Sequence, residues 1–158
     1  MNEKQTVLIT GGAGNVGSAL AKFLHQKNFK VLVADNFSTG KKENLSGFNP
    51  ADIYNVNVND KAAFAAVFET KKIDFVFHYA AVVGVKRTLD NPLAVFDDIK
   101  GIENVLNLSV KNNVKRVFYA SSSEVYGEPF EIPQNEDTTP LNSRLPYAIV
   151  KNLGEAYF

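Results

Sequence analysis

The sequence predicts a doubly wound α/β domain, a parallel sheet with helices on both faces. Three observations carry this. Short β-branched runs alternate with amphipathic segments along the chain. A glycine-spaced turn joins the first run to the first amphipathic segment. The connections are long enough for crossover helices, which parallel strands require.

Taken in order, Thr6–Thr10 reads as a buried strand. The segment from Asn15 to about Asn28 reads as a helix whose apolar face is Val16, Ala19, Leu20, Phe23 and Leu24. Val31–Ala34 is a second strand ending at Asp35, and Asp52–Val58 a third. Asp60 is placed to cap a helix that buries Ala63, Phe64, Val67 and Phe68. Asp74–His78 is the fourth strand, Leu93–Asn112 a long helix and Val114–Ser121 the fifth strand. A proline-bearing loop from Ser122 to Arg144 precedes a last helix from about Pro146. The expected strand order is 3-2-1-4-5, with a ligand across the carboxyl ends of strands 1 and 4. The chain is read as one domain, residues 1–158. It stops seven residues after Lys151, so a sixth strand and a C-terminal substrate-binding part are expected to be absent.

Composition narrows the function classes. Seventeen basic and seventeen acidic side chains cancel, so neither nucleic acid nor a membrane surface is an expected partner. Lys41-Lys42 and Lys71-Lys72 read as solvated loop charges. There is no cysteine, which removes disulfides and thiolate metal sites, and His25 and His78 are too few for a histidine metal site; no metal is expected. Met1-Asn2-Glu3-Lys4-Gln5 carries no signal-peptide pattern, and a cytoplasmic enzyme is expected.

Gly11, Gly14 and Gly17 have the spacing of a phosphate-binding turn. The first glycine permits a tight turn, the second lets backbone approach a pyrophosphate, and the third lets helix and strand pack closely. The phosphate would sit at the helix N-terminus, on Asn15 and Val16, where the dipole favours negative charge. This is the Rossmann-type arrangement. Asp35, eighteen residues after Gly17, would accept the hydroxyls of an adenosine ribose and repel a 2′-phosphate, selecting NAD over NADP. Asn36, Ser38, Thr39 and Gly40 can add contacts to ribose or phosphate. Tyr79, Ala80 and Ala81 end the fourth strand and allow close approach to the cofactor, while His78 reads as structural. Ser121-Ser122-Ser123-Glu124 leaves the fifth strand at its carboxyl end, and one hydroxyl there is read as polarising a substrate oxygen. Tyr147 and Lys151, one helical turn apart, pair a phenol with an ammonium that would lower its pKa toward that of a general base.

These motifs together resemble the N-terminal portion of an extended short-chain dehydrogenase/reductase of the NAD-dependent epimerase/dehydratase family, enzymes acting on nucleotide-diphosphate sugars. The resemblance covers the glycine turn, Asp35-Asn36, His78-x-Ala80-Ala81, Ser122 through Gly127 and Tyr147-x-x-x-Lys151. It implies that Tyr147 takes a proton from a sugar hydroxyl, that Ser122 is the catalytic hydroxyl, and that Lys151 also holds the nicotinamide ribose. It places Asn57-Val58 near the adenine, where the family usually has aspartate first, and Val83 against the cofactor. It gives Ser123 and Glu124 to the substrate, with Glu124 a candidate catalytic group. Asp98 stands where asparagine is common and receives no role. Ser123 in place of an aspartate disfavours a 4,6-dehydratase. Ser122-Ser123-Glu124 is close to a run in nucleotide-glucuronate decarboxylases, whereas residues 83–88 resemble epimerases. An epimerase acting through a 4-keto sugar is expected, with a decarboxylase or dehydratase as alternatives; a truncated NAD-binding protein without catalysis is a third. Apolar positions on the long helix and on the last helix exceed one sheet-facing stripe, so a homodimer through a four-helix bundle is expected.

Overall fold

The structure is a computed structural model that describes residues 4–158; Met1, Asn2 and Glu3, and the side chains of Val85, Lys86 and Arg87, lie outside the described residues. The N-terminal reading on the first three residues and the epimerase-like run on 85–87 therefore fall partly outside it.

Five parallel strands form one sheet in the order β3-β2-β1-β4-β5, as the sequence predicts. They are β1 (Thr6–Thr10), β2 (Lys30–Asp35), β3 (Ile53–Asn55), β4 (Phe75–His78) and β5 (Arg116–Tyr119). The central strand is buried along its whole length, and its residues alternate between two cores, as a period of two requires. Leu8 joins Leu32 and Val76 beneath α2 (Lys61–Thr70) and α5 (Asp98–Lys111), contributing to a core with Phe64, Val67, Val105 and Leu108. Val7 and Ile9 join Val31 and Val33 beneath α1 (Asn15–Gln26), against Ala21 and Leu24. A third cluster joins α4 (Pro92–Phe96), α5 and α6 (Pro146–Tyr157) through Val95, Ile102 and Val150. A six-residue helix, α3 (Val85–Asp90), precedes α4.

Several boundaries differ from expectation. The third and fifth strands, at the two edges of the sheet, are shorter than predicted. At β3 the ladder ends where the Asn57 side chain accepts from the Asn59 amide and starts a turn. The long helix is two: at Asp97 the Lys100 amide bonds back to the Asp97 carbonyl, three residues away, and the α-helical ladder is interrupted. Asp60 caps α2 by accepting from Ala62 and Ala63, as expected, and Phe64, Val67 and Phe68 are buried; Ala63 is exposed.

The predicted phase of α1 needs correcting. The buried residues are Gly17, Ser18, Ala21 and Leu24, whereas Val16 and Phe23 are 64% and 53% exposed. Close approach at Gly17 sets that phase: a Cβ there would lie 2.4 Å from the Gly11 carbonyl oxygen. The helix therefore turns its smallest residue to β1 and leaves Val16 at the sheet's carboxyl end.

Much of the apolar surplus of the last two long elements is used internally. Val95, Ile102, Val105, Leu108 and Val150 are buried, while Leu93, Phe96, Val110, Ile149, Tyr157 and Phe158 remain exposed.

Candidate active site

A cleft of about 580 Å³ opens along the carboxyl ends of the strands, within the range of small-ligand and cofactor sites. Its wall begins at Asp35 and Asn36 after β2, with Ser38 and Thr39. It continues through Gly11, Gly14, Asn15, Val16 and Gly17 between β1 and α1, then Tyr79, Ala80, Ala81 and Val83 after β4. Asn57 and Val58 line it beyond β3, and Tyr147 and Lys151 of α6 lie at the β5 end. The structure thus brings seventeen sequence-predicted positions to one concavity at the switch point of the sheet.

The glycine turn is built by close contact. Gly11 has φ of +66°, and a Cβ on it would lie 2.7 Å from the Ala80 nitrogen. The turn after β1 therefore runs against the strand end after β4, which is where the cleft floor forms. The first turn of α1 carries amides without intrahelical acceptors, and its residues Asn15 to Gly17 line the cleft.

Asp35 is buried, and its two oxygens accept from the backbone amides of Ala13 at 2.9 Å and Phe37 at 2.8 Å. The carboxylate is thereby fixed in place, with lone pairs remaining for a ligand. Gly40, expected to contact ligand, lies off the cleft wall. It packs on Ala13 and the Asp35 carboxylate, where a Cβ would be 2.7 Å from the Ala13 Cβ. Its smallness lets the loop close over Asp35.

His78 is structural, as read. It is buried, shares a 2.7 Å bond between Nδ1 and the Thr10 hydroxyl, and burial holds its pKa down at about 3. The same hydroxyl accepts from the Ala80 amide and ties the β4 end to β1.

At the other end, the Lys151 ammonium is buried and donates to the Ala120 carbonyl at 2.7 Å. It sits 4.9 Å from the Tyr119 ring centroid and 5.7 Å from that of Tyr147. Burial lowers its pKa to about 8, against the opposing charge of Asp98. The half-buried Tyr147 phenol is pushed up by burial; its hydrogen bond with Ser122 pulls the other way, and Glu124 and Asp98 push it further up. The Lys151 ammonium lies over the Tyr147 ring face while bonded to Ala120.

Ser122 reaches the site through Tyr147 and is off the cleft wall. Its hydroxyl accepts from the Glu124 amide at 3.2 Å and caps the short 3-10 helix Ser123–Tyr126. Ser123 and Glu124 are exposed and also outside the wall. Their neighbour Ser121 lines it, bonded to Glu155. The reading of the sequence also passed over Asn59 and Asp98, which line the cleft as well. Asp97-Asp98 looks in sequence like charge at the start of a helix; only the tertiary contact with residue 82 reveals another use.

With this geometry in place, likeness to known proteins is informative. The model of the NAD dependent epimerase/dehydratase family matches residues 7–158. The chain belongs to that family. A putative UDP-glucose 4-epimerase of Methanocaldococcus jannaschii is 35% identical over 154 residues, 96% of this chain and 49% of that protein. A UDP-N-acetyl-alpha-D-glucosaminuronate decarboxylase of Bacillus cytotoxicus is 37% identical over 161 residues, 96% of this chain and 48% of that protein. The crystal structure of the Thermus thermophilus UDP-glucose 4-epimerase in complex with NAD superposes with a TM-score of 0.88 at 32% identity, covering 97% of this chain and 49% of that one. The chain spans about half the length of the curated relatives it matches.

Proposed function

We propose that the chain binds NAD and serves a nucleotide-sugar epimerase that works through a 4-keto sugar. The observation that carries this reading is the single cleft joining Asp35, the first turn of α1 and the Tyr147–Lys151 pair. Asp35 lies toward one edge of the sheet, the helix N-terminus in the middle and the phenol–ammonium pair toward the other edge. That sequence of carboxylate, anion site and proton-transfer pair suits a dinucleotide.

When bound, the nicotinamide supplies the hydride acceptor and donor. The chain's residues do the rest. Asp35 accepts ribose hydroxyls, and the amides at the start of α1 receive the pyrophosphate. Asn57 and Val58 flank the adenine end, with Tyr79 to Ala81 and Val83 against the cofactor. Tyr147 takes a proton from the sugar hydroxyl as hydride leaves the carbon, and returns it on reduction. Ser122, beside Tyr147, polarises the same oxygen. Lys151 has donors left beyond its bond to Ala120 and holds the nicotinamide ribose. Burial favours the protonated phenol, so to act as the base Tyr147 must first release its own proton to solvent; Lys151, one turn along the same helix, is the cation placed to favour the tyrosinate.

A second reading, a decarboxylase acting on a nucleotide-sugar acid, is favoured by the Ser122-Ser123-Glu124 run and by the Bacillus relative. The epimerase is preferred because Glu124 is exposed and off the cleft wall. The reading includes pairing of two copies through the outer faces of α4 and α6.

Calorimetric titration with NAD and NADP tests it. NAD is expected to bind more tightly, since a 2′-phosphate would meet the Asp35 carboxylate. Equal affinities, or tighter NADP, would remove Asp35 from the ribose site, and no binding of either would end the reading. NAD binding with no cofactor reduction when UDP-glucose is added would leave a cofactor-binding protein without catalysis.

A further inference from the structure

The cleft runs from the first turn of α1 past Asp35, at the end of β2, to Asn57 and Val58 beyond β3. With a pyrophosphate at α1 and a ribose on Asp35, the purine of a dinucleotide lies past Asp35, against these two residues. Val58 is buried, and the Val56 amide donates to the Asp35 carbonyl at 3.0 Å, which fixes the segment beside the ribose end. What the chain offers the base there depends on which polar atoms are already used.

The acceptors are engaged. The Asn57 side-chain oxygen accepts from the Asn59 amide at 3.0 Å, and the Asn57 carbonyl from the Asp60 amide at 3.0 Å. The Val58 carbonyl accepts from the Asn104 side chain of α5 at 2.8 Å. Asn36, on the cleft wall beside Asp35, repeats the arrangement, its side-chain oxygen accepting from the Ser38 amide at 3.0 Å. The neighbouring carboxylates have partners as well: Asp60 caps α2, Asp97 pairs with Lys100 and Asp98 accepts from the Val82 amide. The Asn59 side-chain oxygen has no partner, but it is buried against Gly101 and closed to a ligand.

The donors are free. Among the described residues, the side-chain amino groups of Asn57 and Asn36 and the Val58 amide have no acceptor. The two ends of the Asn57 side chain cannot be exchanged, since only its oxygen can accept from the Asn59 N–H. The turn keeps that oxygen for itself and leaves the amino end of an exposed, cleft-lining residue for a ligand.

We infer that Asn57 makes the base end of the cleft a donor surface, one that takes a dinucleotide with a 6-oxopurine base at least as well as one with adenine; this rests on the seating of a dinucleotide in the cleft, as proposed. A 6-oxopurine offers acceptors at O6 and N7, whereas adenine sets an N6 donor against the donors of the wall. A carboxylate at position 57 would close the same turn with one oxygen and hold the other out as an acceptor for the 6-amino group. The neutral amide withholds that acceptor, and with it the selection for adenine.

The test is calorimetric titration with NAD and with nicotinamide hypoxanthine dinucleotide, wild type against Asn57→Asp. The wild type is expected to bind the hypoxanthine form at least as tightly as NAD. Asn57→Asp preserves the bond to the Asn59 amide and is expected to shift the ratio of affinities toward NAD by roughly ten-fold. A wild type that prefers NAD would overturn the inference without any variant, and so would a ratio that Asn57→Asp leaves unmoved. Either result, with NAD bound, leaves the dinucleotide reading of the cleft standing. Failure of both dinucleotides to bind the wild type would end that reading and this inference with it.

Discussion

At the scale of single residues, the proposed function assigns some groups to binding and others to proton transfer, and one substitution tests that division. Tyr147→Phe removes only a hydroxyl from a half-buried ring. It is expected to leave NAD affinity within about two-fold while lowering hydride transfer by roughly 10²–10⁴. Calorimetry and nicotinamide absorbance give the two numbers, and near-normal reduction would mean that another base is at work. His78 makes a different kind of prediction. Its folded pKa, about 3, lies below the 6.5 of an unperturbed histidine. The unfolded chain therefore binds the proton first, and stability conferred by the neutral ring is full above pH 6.5 and lost as pH falls toward 3. The slope is about 1.4 kcal/mol per pH unit for one proton. Urea midpoints measured from pH 7 to pH 5 should decline in the wild type and decline less in His78→Leu. Identical profiles would show that the ring does not titrate on unfolding.

Elements are placed by contacts that hydrophobic periodicity does not record. α6 reaches β5 because residue 154 is glycine; a Cβ there would lie 2.3 Å from the Tyr119 ring. That ring has little room to yield, stacked on Phe158 at 5.0 Å and lying beneath the Lys151 ammonium. Gly154→Ala should push α6 outward, costing roughly 1–3 kcal/mol of stability and weakening NAD binding with it, since Tyr147 and Lys151 ride on that helix. Thermal melts and titration of the same sample check this; an alanine tolerated without loss would mean α6 is loosely held. The same logic explains what could be read in the sequence. Strand order followed from alternating elements and crossover connections, and the glycine turn, Asp35 and Tyr147–Lys151 followed from spacing along the chain. The face of α1 did not, because Gly17 against Gly11 outweighs the apolar Val16 and Phe23. The use of Asp98 also stayed hidden, since Val82, whose amide it accepts from, lies 16 positions away in the sequence. Gly40 and Glu124 have neighbours in sequence that line the cleft, but the chain places one against the Asp35 carboxylate and the other in solvent.

For the whole molecule, the question is what the remaining apolar surface does. Leu93 is 77% exposed and Ile149 43%, on helices α4 and α6 that pack against each other. Phe96 and Leu145 are exposed on the same two segments. A second apolar surface lies elsewhere: among the described residues β5 pairs only with β4, and it presents Phe118, 39% exposed and stacked on Phe77 at 4.4 Å. Either can drive association, but they predict different assemblies. Helices meeting their copies about a two-fold axis close on themselves and stop at a dimer, whereas an unpaired strand edge is a template for open-ended pairing. Sedimentation at micromolar concentration is therefore expected to show a discrete dimer of the 17.4 kDa chain. Leu93→Glu with Ile149→Glu should convert it to monomer, because two buried carboxylates without partners oppose the interface. A wild-type chain that remains monomeric would contradict the helical pairing. Association that survives both substitutions, and is lost instead on Phe118→Lys, would place the contact at the β5 edge.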